Sequence, residues 1–138
     1  MKYLLDTNVI SEIQKINGDA KVKRYVHSIG LENLYLASIT VGEICFGIEK
    51  LPPCKKKHEL SVWFYIQIPQ WFKNRIISLE SDVFIEWGKL CARVKRTLPS
   101  EDSILAATAI FHNMTLITRN IKDFEDIEGI KLINPWEG

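Results

Sequence analysis

"MKYLLDTNVISE", residues 1–12, runs an apolar stretch, Tyr3-Leu4-Leu5, straight into a carboxylate at Asp6 and then into small polar residues. Burying a lone ionised carboxylate costs several kcal/mol or forces it to take up a proton. Asp6 therefore caps a helix, meets a cation, or stands where a strand surfaces into a cleft. Residues 2–5 read as a short buried strand and 7–15 as the helix that follows. The pattern recurs along the chain. "LYLA" (34–37), "RIIS" (75–78), "TLIT" (115–118) and "IKLI" (130–133) supply four further strands. Helices are expected at 19–29, where Val22, Val26 and Ile29 share a face, and from about 40 to 51, ending before Pro52-Pro53. More follow at 55–72, 81–97 and, after the Pro99-Ser100 break, 101–112. Short apolar strands alternating with helices predict an α/β fold, a central, mainly parallel five-stranded sheet flanked by helices. In such sheets ligands bind beyond the carboxyl ends of the strands, which is where Asp6 lies.

The 138 residues read as one domain, 1–138, long enough to bury roughly 70% of the unfolded surface. The apolar fraction of 46% and charged fraction of 25% are those of a soluble globular protein. A net charge of +1 supplies no global basic field, so any nucleic-acid binding must use a local patch. No apolar run approaches the roughly 18 residues of a membrane span, and "MKYLLDTN" is too short in apolar residues for a signal peptide. Cys45, Cys54 and Cys91 are odd in number and widely spaced. They fit neither a disulfide set nor a zinc motif and point to a reducing cytoplasm.

Three more acids stand at places equivalent to Asp6. Glu43 follows the second strand, Asp123 the fourth, and Asp102 opens the helix after the Pro99-Ser100 break. Each also has a structural reading. Asp6 fits a helix cap, Thr40 and Glu43 fit a capping box, and Ser100 fits an N-cap with Glu101 and Asp102 in the first turn. Asp123 in a loop is by default solvated. Convergence separates the readings, because in a parallel sheet the ends of strands one, two and four open onto the same edge. Carboxylates gathered there repel unless a cation sits among them, and hard oxygen donors favour Mg²⁺ or Mn²⁺ over zinc. Such a site suits hydrolysis of a phosphodiester by metal-activated water. Glu80 and Asp82 also follow a strand, but Ser81 or Asp82 there reads as a cap for the long helix. Glu101 points about 100° away from Asp102, whose side of the helix carries the apolar Leu105, Ala106 and Ala109.

His27, His58 and His112 offer no better site, and His112-Asn113 reads as a helix C-terminal cap. No G-x-S-x-G, P-loop or dinucleotide fingerprint is present. Lys89, Arg93 and Arg96 recur at i, i+4 and i+7 on the predicted long helix, a basic stripe able to track a phosphate backbone. Arg119 is the basic residue nearest in sequence to the expected cleft. "VWFYIQIPQWF" (62–72) has the spacing of helical packing, in the core or at a subunit contact.

Taken in order, "LLDTNVISE" (4–12), "ASITVGEICFGI" (37–48), "LPSEDSILAATAIFHNMTLITRN" (98–120), "KDF" (122–124) and "INPW" (133–136) resemble PIN-domain proteins, most closely the VapC/FitB-type toxins of toxin–antitoxin pairs. The resemblance covers essentially the whole chain. It implies a PIN-like sheet between helices and an Mg²⁺- or Mn²⁺-dependent endoribonuclease. It further implies a homodimer silenced by a small VapB-like antitoxin whose tail covers the active site, with promoter DNA bound only through that antitoxin. By motif, Asp6, Glu43 and Asp102 are the metal-binding acids. The fourth position falls to Asp123 or to Asn120, because Asn120 stands where part of the family has an aspartate directly after Thr-Arg. Asn8 and Thr118 are expected behind the acids as hydrogen-bonding supports. Arg119, Lys89, Arg93 and Arg96 are expected to hold substrate.

Two other readings compete. One is a non-catalytic RNA-binding PIN module. The other is a phosphatase with Asp6 as nucleophile, although enzymes of that kind carry a second acid two residues on, where Asn8 stands here.

Overall fold

Five strands, β1 (Tyr3–Leu5), β2 (Leu34–Ala37), β3 (Ile76–Ile77), β4 (Thr115–Ile117) and β5 (Lys131–Ile133), pair in the order β3-β2-β1-β4-β5 in a computed structural model that describes residues 1–137. Every pairing is parallel, as expected for short apolar strands covered on both faces. The two-residue alternation of a strand divides the core. Leu5, Leu34, Leu36 and Ile117 pack on one face with Val9, Ile10, Val22, Ile44, Ile48, Trp63, Phe64 and Phe72. Leu4, Ala37 and Leu116 pack on the other with Leu90, Leu105, Ala106, Ala109 and Phe124. Each fully buried Leu, Ile or Phe contributes about 1.5–3 kcal/mol. The first face is covered by α1 (Thr7–Gln14), α2 (Ala20–Ile29), α3 (Ser38–Glu49) and the helical run from α4 (Lys55–Val62) to α5 (Ile68–Trp71). The second is covered by α6 (Ser81–Arg93) and α7 (Ser100–Phe111). No described helix is long and apolar enough to cross a membrane.

β1 is the middle strand. From it the chain first builds outward through β2 and β3, then returns to place β4 and β5 on the other side. The reversal opens a crevice at the carboxyl ends of β1 and β4, the usual ligand position of an open parallel sheet. The Asp6 N–H closes the ladder there, donating to the Ile117 carbonyl at 3.0 Å.

Several helix limits depart from the sequence expectation. α3 begins at Ser38, with Ala37 as its cap and no side chain closing its first turn. The Thr40–Glu43 capping box is therefore not formed, and Glu43 stands inside the helix with its carboxylate free for other partners. α7 is capped by Pro99 rather than Ser100. α6 is preceded by Glu80 and has no side-chain cap, while Asp82 Oδ1 accepts the Val83 N–H at 2.7 Å. α6 also ends at Arg93, because Val94 turns extended with ψ 130°. That removes Arg96 from the stripe with Lys89 and Arg93. Between α4 and α5, residues Trp63–Gln67 form a π-turn in which the Ile68 N–H reaches the Trp63 carbonyl. Pro69, just beyond, has no N–H to continue a regular ladder.

The expected cap at His112-Asn113 is present. Asn113 adopts the left-handed conformation (φ 54°). Its N–H donates to Ile110 O at 3.1 Å, and the Met114 N–H donates to Ala109 O at 2.8 Å. This double closure ends α7 and aims the chain into β4. Asn113→Ala should lower the unfolding free energy by about 1 kcal/mol, because alanine lacks the short polar side chain that lets asparagine tolerate left-handed backbone and that here accepts from Lys131 Nζ at 2.8 Å. Asn113→Gly should stay within about 0.5 kcal/mol of the parent in the same urea titration.

Candidate active site

Asp6 ends β1 in extended backbone (φ −72°, ψ 158°) and caps α1, its Oδ1 accepting the Thr7 N–H at 2.7 Å. Its other oxygen, Oδ2, accepts the hydroxyl of Thr118 at 2.7 Å, from the end of β4. Thr118 is fully buried, and its Oγ1 also accepts the Asn120 N–H at 3.1 Å. Thr7 Oγ1 donates to Glu43 Oε1 at 3.0 Å, tying the first turn of α1 to α3. Two threonine hydroxyls thus orient two of the four acids. Thr118 was expected behind the acids. Thr7 escaped the sequence reading, because its partner lies 36 positions away and its own position reads only as a helix start.

Asp6, Glu43 and Asp102 are each half-buried. Burial is the largest influence on all three and pushes each carboxyl above its ordinary range. For Asp6 the hydrogen bonds from Thr118 and Thr7 oppose this, while the charge of Asp123 adds to it. For Glu43 the Thr7 hydroxyl opposes, and Asp6, Glu101 and Asp102 add. For Asp102 the charges of Asp6, Asp123 and Glu101 add, and only Arg96 opposes. Glu43 therefore feels the charges of Asp6 and Asp102, and Asp123 acts on Asp6 and Asp102. Asp123 is exposed on the 3₁₀ turn Ile121–Asp123. Asn120 caps that turn, its carbonyl accepting the Asp123 N–H at 3.0 Å, and makes no side-chain cap bond.

Among the described residues, no three Asp, Glu, His or Cys side chains are drawn together closely enough to close a cage around a metal. The acids form a looser cluster, as mutually repelling carboxylates do. The donor set is nonetheless what a hard cation takes: carboxylate oxygens, with hydroxyls behind them and no thiolate or imidazole.

The basic residues divide. Lys89 and Arg93 share the exposed side of α6, Arg93 lying 3.8 Å from Glu86, and neither is among the charges acting on Asp6, Glu43 or Asp102. The structure does not bring them to the acids. The Arg119 guanidinium lies over the Trp136 ring, 4.9 Å from its centre. With Asn120, Lys122 and Asp123 it lines a shallow cavity of about 230 Å³. Asn8 supports this corner rather than the carboxylates, its Oδ1 accepting the Arg119 N–H at 3.3 Å. A larger cavity, about 790 Å³, lies by Lys15, Ile16, Lys55, Lys56 and Trp63, at the far end of α1. It holds none of the four acids, so size does not locate the chemistry.

The raised carboxyls carry a stability consequence. A carboxyl with a raised folded pKa holds its proton more tightly when folded, so its contribution to stability is greatest in acid and is lost as pH rises through the shifted range. Asp102 is influenced only by burial and neighbouring charge, with no hydrogen bond opposing. Asp102→Asn should therefore raise the melting temperature at pH 7 in chelator, with the gain shrinking as pH falls below the carboxylate range. Calorimetry across pH 3–7 checks the sign.

A PIN domain family model matches residues 3–130. The chain is 32% identical over 137 residues to a VapC ribonuclease of Sinorhizobium fredii, covering 97% of each chain. It is 32% identical over 136 residues to Toxin FitB of Neisseria gonorrhoeae, covering 96% of this chain and 97% of that one. The solved structure of FitAB bound to a DNA fragment contains a chain that superimposes with a TM-score of 0.90 at 32% identity, covering 99% of this chain and 96% of that one.

Proposed function

The chain belongs to the PIN domain family, and from that premise we propose that it is a divalent-metal-dependent endoribonuclease, the toxin of a toxin–antitoxin pair. The observation that carries the proposal is the geometry at the ends of β1 and β4, where Thr118 holds Asp6 and Thr7, the next residue, holds Glu43, with the charges of Asp102 and Asp123 acting on that pair. Relatives named as a ribonuclease and as a toxin support the reaction and the role.

Asp6, Glu43 and Asp102 would hold Mg²⁺ or Mn²⁺, with Asp123 as the fourth acid. The bound cation would supply activation of water and partial neutralisation of the phosphate. The chain's own residues do the rest. Thr118 and Thr7 fix the orientation of the Asp6 and Glu43 carboxylates through hydroxyl hydrogen bonds of 2.7 and 3.0 Å. Burial at the sheet edge keeps bulk water from screening their charge. Water attacks phosphorus and the ribose 3′-oxygen leaves, giving a 5′-phosphate and a 3′-hydroxyl. His27, His58 and His112 make no side-chain hydrogen bond to Asp6, Glu43 or Asp102 among the described residues, which fits a metal-activated water rather than a histidine acting on the ribose 2′-hydroxyl. Arg119 and Lys122, beside Asp123, are positioned for the flanking phosphates.

Association has a physical motive of its own. Phe46, Tyr65, Ile66 and Ile85 are each more than half exposed, at 67%, 55%, 54% and 60%. Phe46 and Tyr65 stand on adjoining segments, Tyr65 Oη lying 3.5 Å from Cys45 Sγ, and clustered exposed apolar side chains mark surfaces that partners cover. They support a homodimer and a VapB-like antitoxin, and the FitAB–DNA assembly supports DNA binding through the antitoxin.

With a single-stranded RNA and Mg²⁺ or Mn²⁺, Asp6→Asn and Asp102→Asn should each reduce cleavage to background while circular dichroism stays native. Undiminished cleavage by both would reject the assignment. EDTA should stop cleavage and leave RNA binding, followed by fluorescence anisotropy, in place; cleavage that continues in EDTA would contradict the metal requirement.

A further inference from the structure

Arg96 lies in the linker between α6 and α7, and its side chain leaves that linker altogether. Nε donates to Asp126 Oδ2 at 2.7 Å and Nη2 to Asp126 Oδ1 at 2.8 Å, a two-pronged grip on one carboxylate. The same Nη2 donates to the backbone carbonyl of Asp123 at 2.7 Å. One guanidinium therefore fastens both ends of the segment 123–126 to the linker that precedes Asp102. Inside that segment the Phe124 side chain is fully buried, so the grip and the core hold the turn from opposite sides. Asp123 has no other visible restraint on its side-chain end: it is exposed, at the close of a three-residue 3₁₀ turn.

We propose that Arg96 is a positioning residue that holds the 120–126 turn so that Asp123 faces the other acids. This rests on the metal-binding reading above. The arrangement also makes the sign of a mutation informative. As a bare positive charge, Arg96 would oppose a cation bound at the acids and would relieve their mutual repulsion. Removing that charge would then tighten metal binding. As a clamp, its removal loosens Asp123 and weakens metal binding, by the roughly 10–100-fold typical when a residue that orients a metal ligand is lost. Lysine retains the charge but not the planar fork. Clamp and charge therefore predict opposite results for Gln and different results for Lys.

The test is calorimetric titration of Mn²⁺ into the RNA-free chain, at a temperature where circular dichroism shows every variant folded. Arg96→Gln, Arg96→Lys and Asp126→Asn should each weaken Mn²⁺ binding by about tenfold or more. The Arg96→Gln/Asp126→Asn double variant should be no weaker than the worse single one, because both remove the same grip. Unchanged or tighter Mn²⁺ binding by Arg96→Gln, or wild-type binding by Arg96→Lys, would overturn the clamp and leave the metal reading standing. A parent chain that binds neither Mn²⁺ nor Mg²⁺ would instead overturn the reading on which the clamp rests.

Discussion

The hydrogen bond from Thr118 to Asp6 joins the ends of two adjacent parallel strands, and most of what distinguishes this molecule depends on it. The backbone alone would bring those ends together, since the Asp6 N–H already pairs with Ile117. The 2.7 Å hydroxyl contact adds direction. It holds Oδ2 at the end of β4 while Oδ1 caps α1. Asp6 both caps the helix and joins the acid cluster, so the two readings of its position are not exclusive.

From that contact the energetics run in two directions. On the sheet, Leu4 and Leu5 send their side chains into separate cores, and the strand that carries Asp6 is fully buried at both. The carboxylate therefore cannot retreat into solvent without pulling apart well-packed structure. At the crevice, burial and like charge raise three carboxyls together. A protein that keeps such groups loses stability at neutral pH relative to one with amides there, and it retains a place that a cation would relieve. Under the proposed function, this is the stability–function conflict expected of a metal-binding site.

How much of this was legible in the chain depended on the range of the interaction. The five strands, their parallel arrangement and the Asn113 cap follow from local pattern: apolar runs of a few residues between helices, and an amide side chain that tolerates left-handed backbone. α3 starts two residues before the expected Thr40, because Thr40-x-x-Glu43 satisfies the capping rule while the chain turns helical already at Ser38. The end of α6 has no Gly or Pro until Pro99, yet the chain turns extended at Val94, and Arg96 then meets Asp126, 30 positions on. Thr7 was invisible for the same reason. Pairings across long sequence separations leave no periodic trace, and here they govern the fine geometry of the cluster.

Arg96 shows how the departure from expectation became informative. A stripe of three basic residues on one helix would have been a surface for phosphates. Instead, the last of the three ties the 120–126 turn to the α6–α7 linker, and Arg119 and Lys122 line the cavity beside Asp123.

On the proposed function, carboxylates at the end of β1 and on α3 and α7 gather to share one divalent ion. Anomalous diffraction from crystals grown with Mn²⁺ tests this most directly. The predicted result is a single strong peak, or a close pair, bounded by the carboxylates of Asp6, Glu43 and Asp102. Peaks only elsewhere on the surface, with those three side chains unmoved, would contradict it.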